Sequence, residues 1–197
     1  SIVIKEFKRD IIKSNMNKSS QSVIFVLILL LILLISPFRT DASTEVTLDI
    51  DSPTTWTEAG SPYVVLNSVS VFPDTTLTIE PGTIVKFEQG VSLGVLGSLI
   101  SSGTSQNPIY FTSYRDDSVG GDSNGDGEDS APSYADWSEI YLEAQGVVNF
   151  SNVIFKYAND TVYAYNTDVN FTNINCSYAN SCITISDGSS INVSGSS

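Results

Sequence analysis

Hydrophobic and polar residues alternate along much of this chain in short runs, and one of these runs is repeated. The segment 150–159, FSNVIFKYAN, returns at 171–180 as FTNINCSYAN, with Phe, Asn, Tyr, Ala and Asn in the same places. Short β-type runs that repeat every 20 to 30 residues or so are typical of a solenoid, because one unit cannot bury its own apolar face. The pattern therefore predicts coils that stack on one another.

The alternation also predicts which side chains face the core of the stack. Three sets of inward positions recur from coil to coil. The first is Ile140 and Leu142, then Val162 and Ala164, then Ile183 and Ile185. The second is Phe150, Phe171 and Val193, and the third is Val153 and Ile174. Asn152 and Asn173 then fall at one turn, where their amides would hydrogen-bond from coil to coil. Three short strands in each coil of about 21–22 residues predict an all-β parallel β-helix, with neighbouring strands about 4.8 Å apart.

Two resemblances extend this interpretation. Residues 137–197 resemble the coils of the pectate-lyase-like right-handed β-helix superfamily, which often carry an asparagine at a turn. Residues 53–145 resemble the opening coils of a family of bacterial and archaeal surface β-helix proteins. The motifs that carry this second resemblance are Thr55-Trp56, Ser61-Pro62-Tyr63, Thr76 to Phe87, Gly97 to Thr104 and Pro108 to Ser113. The resemblances imply a right-handed parallel β-helix at a cell wall or surface, with no fixed activity.

The first 42 residues do not belong to the predicted β-helix. Residues 23–35 are an unbroken apolar run that follows several basic residues, and small residues precede Ser43. This order is typical of a secretory signal peptide, with Met16 as the expected start and residues 1–15 as upstream read-through. An uncleaved signal anchor is the alternative. In both cases we expect residues 43–197 to be secreted or on the cell surface, as the N-terminal part of a longer β-helix.

Charge narrows the range of partners. The chain has 9 Lys and Arg residues against 22 Asp and Glu residues, with no histidine, for a net charge of −13. Such an acidic protein is not expected to bind nucleic acid. Contact with a membrane is expected only through the leader, if it is not cleaved. A polysaccharide or a cell-surface glycan is the expected partner.

Residues 115–136 interrupt the β pattern with an insertion rich in acidic residues and glycine. It contains three oxygen side chains spaced two residues apart and followed by Gly127, as in a calcium loop of the EF-hand type. The twelfth position of such a loop is Ser133 rather than glutamate, so the pattern predicts a local calcium-binding wrap and not an EF-hand. The predicted ligands of a structural Ca²⁺ ion are Asp122, Asn124, Asp126, Glu128 and Asp129, with Asp116 and Asp117 as further candidates. A solvated acidic loop is the alternative.

The outward face of the strands offers candidate sugar contacts but no catalytic residue. The contacts are Glu139, Tyr141, Tyr163 and Tyr165, because tyrosine combines an apolar ring with a polar tip. Tyrosines that merely stabilise neighbouring coils are the alternative. Glu139 and Glu143 are about 13 Å apart along one strand, farther than the roughly 5–9.5 Å between glycosidase carboxylates. Without histidine, a base for β-elimination is also hard to nominate.

The two cysteines, Cys176 and Cys182, are six residues apart. In an oxidising compartment they could form a disulfide. Against this, the register places Cys176 inward and aligns Cys182 with the outward-facing Thr161, so that the Cβ atoms would point apart. The sequence leaves the bridge open.

These features predict an exported structural or adhesive β-helix module with a calcium-stabilised loop. The alternative is a polysaccharide lyase or a glycoside hydrolase whose catalytic coils lie beyond residue 197.

Overall fold

The structure is a computed structural model that describes residues 43–195. Over this range parallel strands wind into a β-solenoid of about seven turns, which confirms the predicted all-β fold. The helical content of the range is one 3₁₀ turn, Glu58–Gly60, and no helix within it is long and apolar enough to cross a membrane. The predicted signal peptide lies outside the described residues.

Most strands are short, and each coil contributes β structure to three faces. They are β1 Thr44–Val46, β2 Thr54–Trp56, β3 Tyr63–Val65, β4 Val69–Val71, β5 Thr76–Ile79, β6 Ile84–Phe87, β7 Leu93–Val95, β8 Ser98–Ser102, β9 Ile109–Ser113, β10 Trp137–Leu142, β11 Val148–Lys156, β12 Ala158–Tyr165, β13 Asp168–Ser177, β14 Ser181–Ser186 and β15 Ser190–Ser194.

Register pairing groups the strands into three parallel stacks. The first stack contains β2, β5, β8, the first halves of β11 and β13, and β15. The second contains β1, β3, β6, β9 and the second halves of β11 and β13. The third contains β4, β7, β10, β12 and β14. Every pair is parallel, so each stack buries one face against the other two.

The corner between the first and second stacks is made by asparagine. Asn152 has φ 49° and Asn173 has φ 50°, in the left-handed region that asparagine tolerates better than most residues. Asn173 Nδ2 donates to Asn152 Oδ1 at 3.2 Å. The predicted hydrogen bonding between the turn asparagines is confirmed. Their left-handed conformation turns the chain at this corner, so that one long strand serves two stacks.

The core columns follow the predicted register. Phe150 pairs with Phe171 and Phe171 pairs with Val193, and the rings of the two phenylalanines stack at 5.3 Å. The remaining predicted pairs also form: Val153 with Ile174, Ile140 with Val162 and Ile183, and Leu142 with Ala164 and Ile185. In the last described coil Val193 and Ile185 keep this register but are largely exposed.

The connection between β9 and β10, residues 114–136, contains the acidic insertion predicted at 115–136, and it leaves the solenoid and folds back on the second stack. We call this segment the flap. Lys86 and Thr112 are register partners there, at positions that alternate with core residues, yet both are fully buried. Lys86 Nζ donates to the Gly121 carbonyl at 2.6 Å, and a Cβ on Gly120 would meet Ile84 at 3.2 Å. The flap is therefore packed on the sheet and does not extend freely into solvent.

Candidate functional site

The N-terminal arm of the flap is held by Asp116, which is 1% exposed. Its Oδ2 accepts a hydrogen bond of 2.6 Å from Thr112 Oγ1 on β9 and lies 3.9 Å from Lys156 Nζ on β11. Its Oδ1 accepts from the Ser118 backbone N–H at 3.2 Å. A buried carboxylate with this many donors is well satisfied. Asp116, a further candidate ligand from the sequence, thus anchors the flap to the second stack.

The C-terminal arm is held in a similar way by Asp136, which is 2% exposed. Its carboxylate accepts from Ser113 Oγ and from Ser133 Oγ, both at 2.7 Å. Arg115 approaches it at 3.4 Å. Both ends of the flap are therefore attached to the end of β9 through buried carboxylates.

Between these arms, three carboxylates come together. One oxygen from each of Asp117, Asp122 and Asp126 lies within 4.8 Å of the others. Burial raises the pKa of Asp117, and the neighbouring Asp122 raises it further, while Lys86 opposes the shift. Negative charges this close repel one another unless a cation shares their oxygens.

Asp122 shapes the tip of the flap. Its Oδ1 accepts from the Gly125 N–H at 2.7 Å, and its Oδ2 accepts from the Gly127 N–H at 2.9 Å. Both glycines have φ 71°, a conformation open to residues without a Cβ. The chain thus wraps around the Asp122 carboxylate.

Several oxygens of this wrap are buried without a hydrogen-bond partner among the described residues. They are Asp117 Oδ1, Ser123 Oγ, Asn124 Oδ1 and Asp126 Oδ1. The amide of Asn124 is fixed by its other end, because Nδ2 donates to Asp126 Oδ2 and to Ser130 Oγ, each at 2.9 Å. A buried acceptor left unpaired costs about 1–3 kcal/mol. Carboxylate and amide oxygens of this kind are ligands for a hard cation.

The structure thus brings together only some of the predicted ligands. Asp122 and Asp126 lie in the carboxylate cluster, and Asn124 is bonded to Asp126. Glu128 and Asp129 are exposed and lie outside the group of three. Asp117, a secondary candidate in the sequence, takes a central place because the flap folds back on itself.

Lys86 is a contributor that the sequence reasoning missed. Its ammonium is buried beneath the flap on Gly121 and acts electrostatically on Asp117. The signal in the sequence was a lysine within the apolar run of β6. It stands at an outward position, where another segment of the chain has to cover it if it is to be buried. It supplies one positive charge to an acidic segment.

The outward tyrosines form a stack between coils. Tyr141 and Tyr163 are register partners, and their rings are nearly parallel with centroids 5.7 Å apart. Each ring therefore occupies one face of the other. On its other side Tyr141 pairs with Gly94, which has no side chain. For the ring faces that Tyr141 and Tyr163 share, this arrangement favours the interpretation that the tyrosines stabilise neighbouring coils over the interpretation that they contact a sugar.

Glu139 has a neighbour that the predicted register did not include. It pairs with Asp160 across β10 and β12, next to an irregularity between Glu139 and Ile140. Burial raises the pKa of Glu139, and the charge of Asp160 adds to the shift. Two carboxyl groups on adjacent strands about 4.8 Å apart form a closer pair than Glu139 and Glu143.

The cysteines are joined in a disulfide, Cys176–Cys182, with Cα atoms 5.9 Å apart. The outward placement of Thr161 was wrong: it is 1% exposed, and its Oγ1 lies 3.4 Å from Cys176 Sγ. Tyr157, with φ 64°, and the register irregularity in this coil interrupt the simple alternation. Thr161 and Val162 are consequently buried one after the other.

Comparison with known proteins identifies neither a family nor a solved structure for this chain. No family model matches the chain, and no solved structure matches it. The chain is similar to Protein bark beetle of Drosophila melanogaster, at 36% identity over 59 residues. That alignment spans 30% of this chain and 2% of the fly protein. A match to so small a part of a much longer protein assigns no activity.

Proposed function

We propose that residues 43–195 are a structural or adhesive module of an exported protein, in which a calcium ion holds the flap on the second stack. The ligands are Asp117, Asp122, Asn124 and Asp126. The observation that carries the proposal is the cluster of three carboxylates within 4.8 Å. Export is supported by the disulfide, which is characteristic of oxidising compartments. The resemblances to pectate-lyase-like and bacterial or archaeal surface β-helices belong to this same proposal.

Calcium fits these ligands better than magnesium does. Ca²⁺ accepts six to eight oxygens or so in flexible geometry, whereas Mg²⁺ requires near-ideal octahedral geometry and sheds water reluctantly. The wrap is irregular, and its ligands come from carboxylates and one amide. Water would complete the coordination shell.

The expected mechanical effect of the ion follows from where its ligands lie in the chain. Asp117 is next to Asp116, which is bonded to β9. Asp122 and Asp126 belong to the tip. An ion shared by these carboxylates ties the tip of the flap to its anchored arm, while Lys86 holds Gly121 from below. Loss of the ion should therefore loosen the tip first.

A calcium titration tests the proposal. We expect binding at the weak, extracellular end of the range, with Kd on the order of 10⁻⁴–10⁻³ M, and a melting temperature that rises with calcium concentration. At about 100 times Kd the gain is about 2.7 kcal/mol. Magnesium should give a smaller shift.

Matched variants locate the ion. Asp117→Ala and Asp126→Ala should abolish the calcium-dependent shift, because each removes a clustered carboxylate. Asp129→Ala is the control, since Asp129 is exposed and outside the cluster. If the parent protein shows neither heat nor a thermal shift with calcium, the flap binds no ion under these conditions and the proposal fails.

A second candidate function is hydrolysis of a polysaccharide, and it is supported by Glu139 and Asp160. A carboxyl with a raised pKa beside a second carboxyl group is the arrangement from which general acid catalysis in glycosidases proceeds. Incubation with neutral polysaccharides and measurement of reducing ends tests it. Release by the parent and none by Glu139→Gln would favour the enzyme over the structural module.

A further inference from the structure

An open groove lies between the two arms of the flap and the turn after β11. Its volume is about 340 Å³, at the small end of the roughly 300–1,000 Å³ of ligand pockets. Residues of both flap arms line it, together with Tyr157. Neither Tyr141 nor Tyr163 lines the groove, so it is separate from the outward tyrosine strip.

Tyr157 forms the aromatic wall of the groove. One face of its ring is covered by Tyr178 of the next coil, with centroids 5.0 Å apart and planes 17° from parallel. The rest of the ring is left to border the groove. Burial raises the pKa of the Tyr157 hydroxyl, and the nearby Asp116 adds to the shift. Ala131 and Pro132 continue the apolar surface.

The other walls are polar and carry both donors and acceptors. Asp117 and Glu128 offer carboxylate oxygens, Arg115 offers a guanidinium, and Ser118 and Ser130 offer hydroxyls. The Arg115 guanidinium is already oriented by Asp136 and by Gln89, whose Oε1 it reaches at 3.1 Å. An aromatic ring beside such groups suits a ligand with apolar C–H faces and a rim of hydroxyls.

We propose that this groove is a subsite for one pyranose ring of a neutral sugar. The ring would lie against Tyr157, and its hydroxyls would donate to Asp117 and Glu128 and accept from Arg115. An acidic sugar is disfavoured, because the lining carboxylates outnumber the single guanidinium. The inference rests on the adhesive part of the proposed function and not on the ion, although Asp117 belongs both to the groove and to the carboxylate cluster.

Binding to an array of neutral oligosaccharides, in calcium and in chelator, tests the subsite. The intact protein should bind at least one cello-, xylo-, manno- or galacto-oligosaccharide, and calorimetry with that oligosaccharide then gives the affinity. Ala131→Tyr fills the groove from an exposed position, and Tyr157→Ala removes the wall. Each should weaken binding by about tenfold or more, and Glu128→Gln should weaken it by a smaller factor.

Tyr163→Ala is the control, because it removes an equivalent stacked ring on the other face. If Tyr163→Ala loses sugar binding while Ala131→Tyr binds as well as the parent protein, the sugar lies on the outward strip and the groove proposal is wrong. If no oligosaccharide binds at millimolar concentration while calcium still raises the melting temperature, the subsite is wrong and the calcium proposal stands. Sugar binding that is equal in calcium and chelator, with no thermal shift, supports the groove and refutes the calcium role.

Discussion

Replacing Phe171 by alanine tests the core register directly. Phe171 is 1% exposed, and its ring stacks on Phe150 with planes 9° from parallel. Removing a buried aromatic surface of roughly 150 Å² at about 25 cal/mol per Å² corresponds to about 4 kcal/mol. Measured Phe→Ala substitutions in protein cores cost about 3–5 kcal/mol. We expect the lower end, because Val193, the next residue in this column, is 55% exposed and the cavity can partly collapse.

The matched comparison is Tyr163→Ala. Tyr163 also stacks on a neighbouring ring, but it lies on the outside and is only half-buried. Losing that contact should cost about 1 kcal/mol. The difference between the two variants is therefore about 2 kcal/mol, which is roughly a thirtyfold change in the unfolding equilibrium.

Urea unfolding followed by circular dichroism measures these differences. Solenoid coils can unfold in groups, so hydrogen exchange of peptides from β11 and β13 should accompany it. Faster exchange in these two strands is expected for Phe171→Ala. If Tyr163→Ala costs as much as Phe171→Ala, or more, the assignment of inside and outside is wrong.

The remaining predictions concern a corner and a carboxyl pair. Asn173→Ala should lower the free energy of unfolding by about 1–2 kcal/mol, because alanine tolerates the left-handed conformation less well and cannot make the hydrogen bond to Asn152. Asn173→Gly should cost less, because glycine adopts this conformation freely. Equal melting temperatures for the two variants would contradict the role of φ. Glu139→Gln should stabilise the protein at neutral pH. Since the folded pKa of Glu139 is raised, the carboxyl's stabilising contribution is present below its ordinary pKa and is lost as pH rises through the folded value. The stability gained by Glu139→Gln should therefore vanish in acid, as thermal unfolding from pH 3 to pH 7 would show. The control, Glu143→Gln at an exposed position, should change the stability little over this range. A gain from Glu139→Gln that persists at low pH would refute the charge of Glu139 as its cause.

The stacking columns could be predicted because the repeat carries its own register. Once Phe150 is aligned with Phe171, the spacing places Val153 on Ile174 and Asn152 on Asn173, and the structure pairs them so. A displacement by one residue would move every apolar side chain to the other face. Burial on one face therefore fixes the alignment without knowledge of the whole fold.

Local irregularity limited the prediction in the coil that contains Thr161. Strict alternation assumes that each residue turns the chain by the same amount, and Tyr157 with φ 64° does not. The same irregular coil brings Asp160 beside Glu139. The spacing of apolar residues carries no signal for such a change, because both Thr161 and Val162 are buried.

The flap was harder to predict for a different reason. Its composition indicates a cation, and Asp122 and Asp126 do come together. Which sheet face the flap covers depends on contacts distant in sequence, such as Lys86 with Gly121. The inclusion of Asp117 depends on the same folding back, and local spacing cannot reveal it.

The position of the flap has a consequence for engineering and for the divergence of such chains. Residues 114–136 depart at a corner between β9 and β10, yet β7 pairs directly with β10 and β9 pairs directly with β11. The ladder of backbone hydrogen bonds continues past the insertion as though the corner were a tight turn. A corner of this solenoid is thus a graft point, where a new loop can be exchanged for another while the scaffold on both sides keeps its alignment.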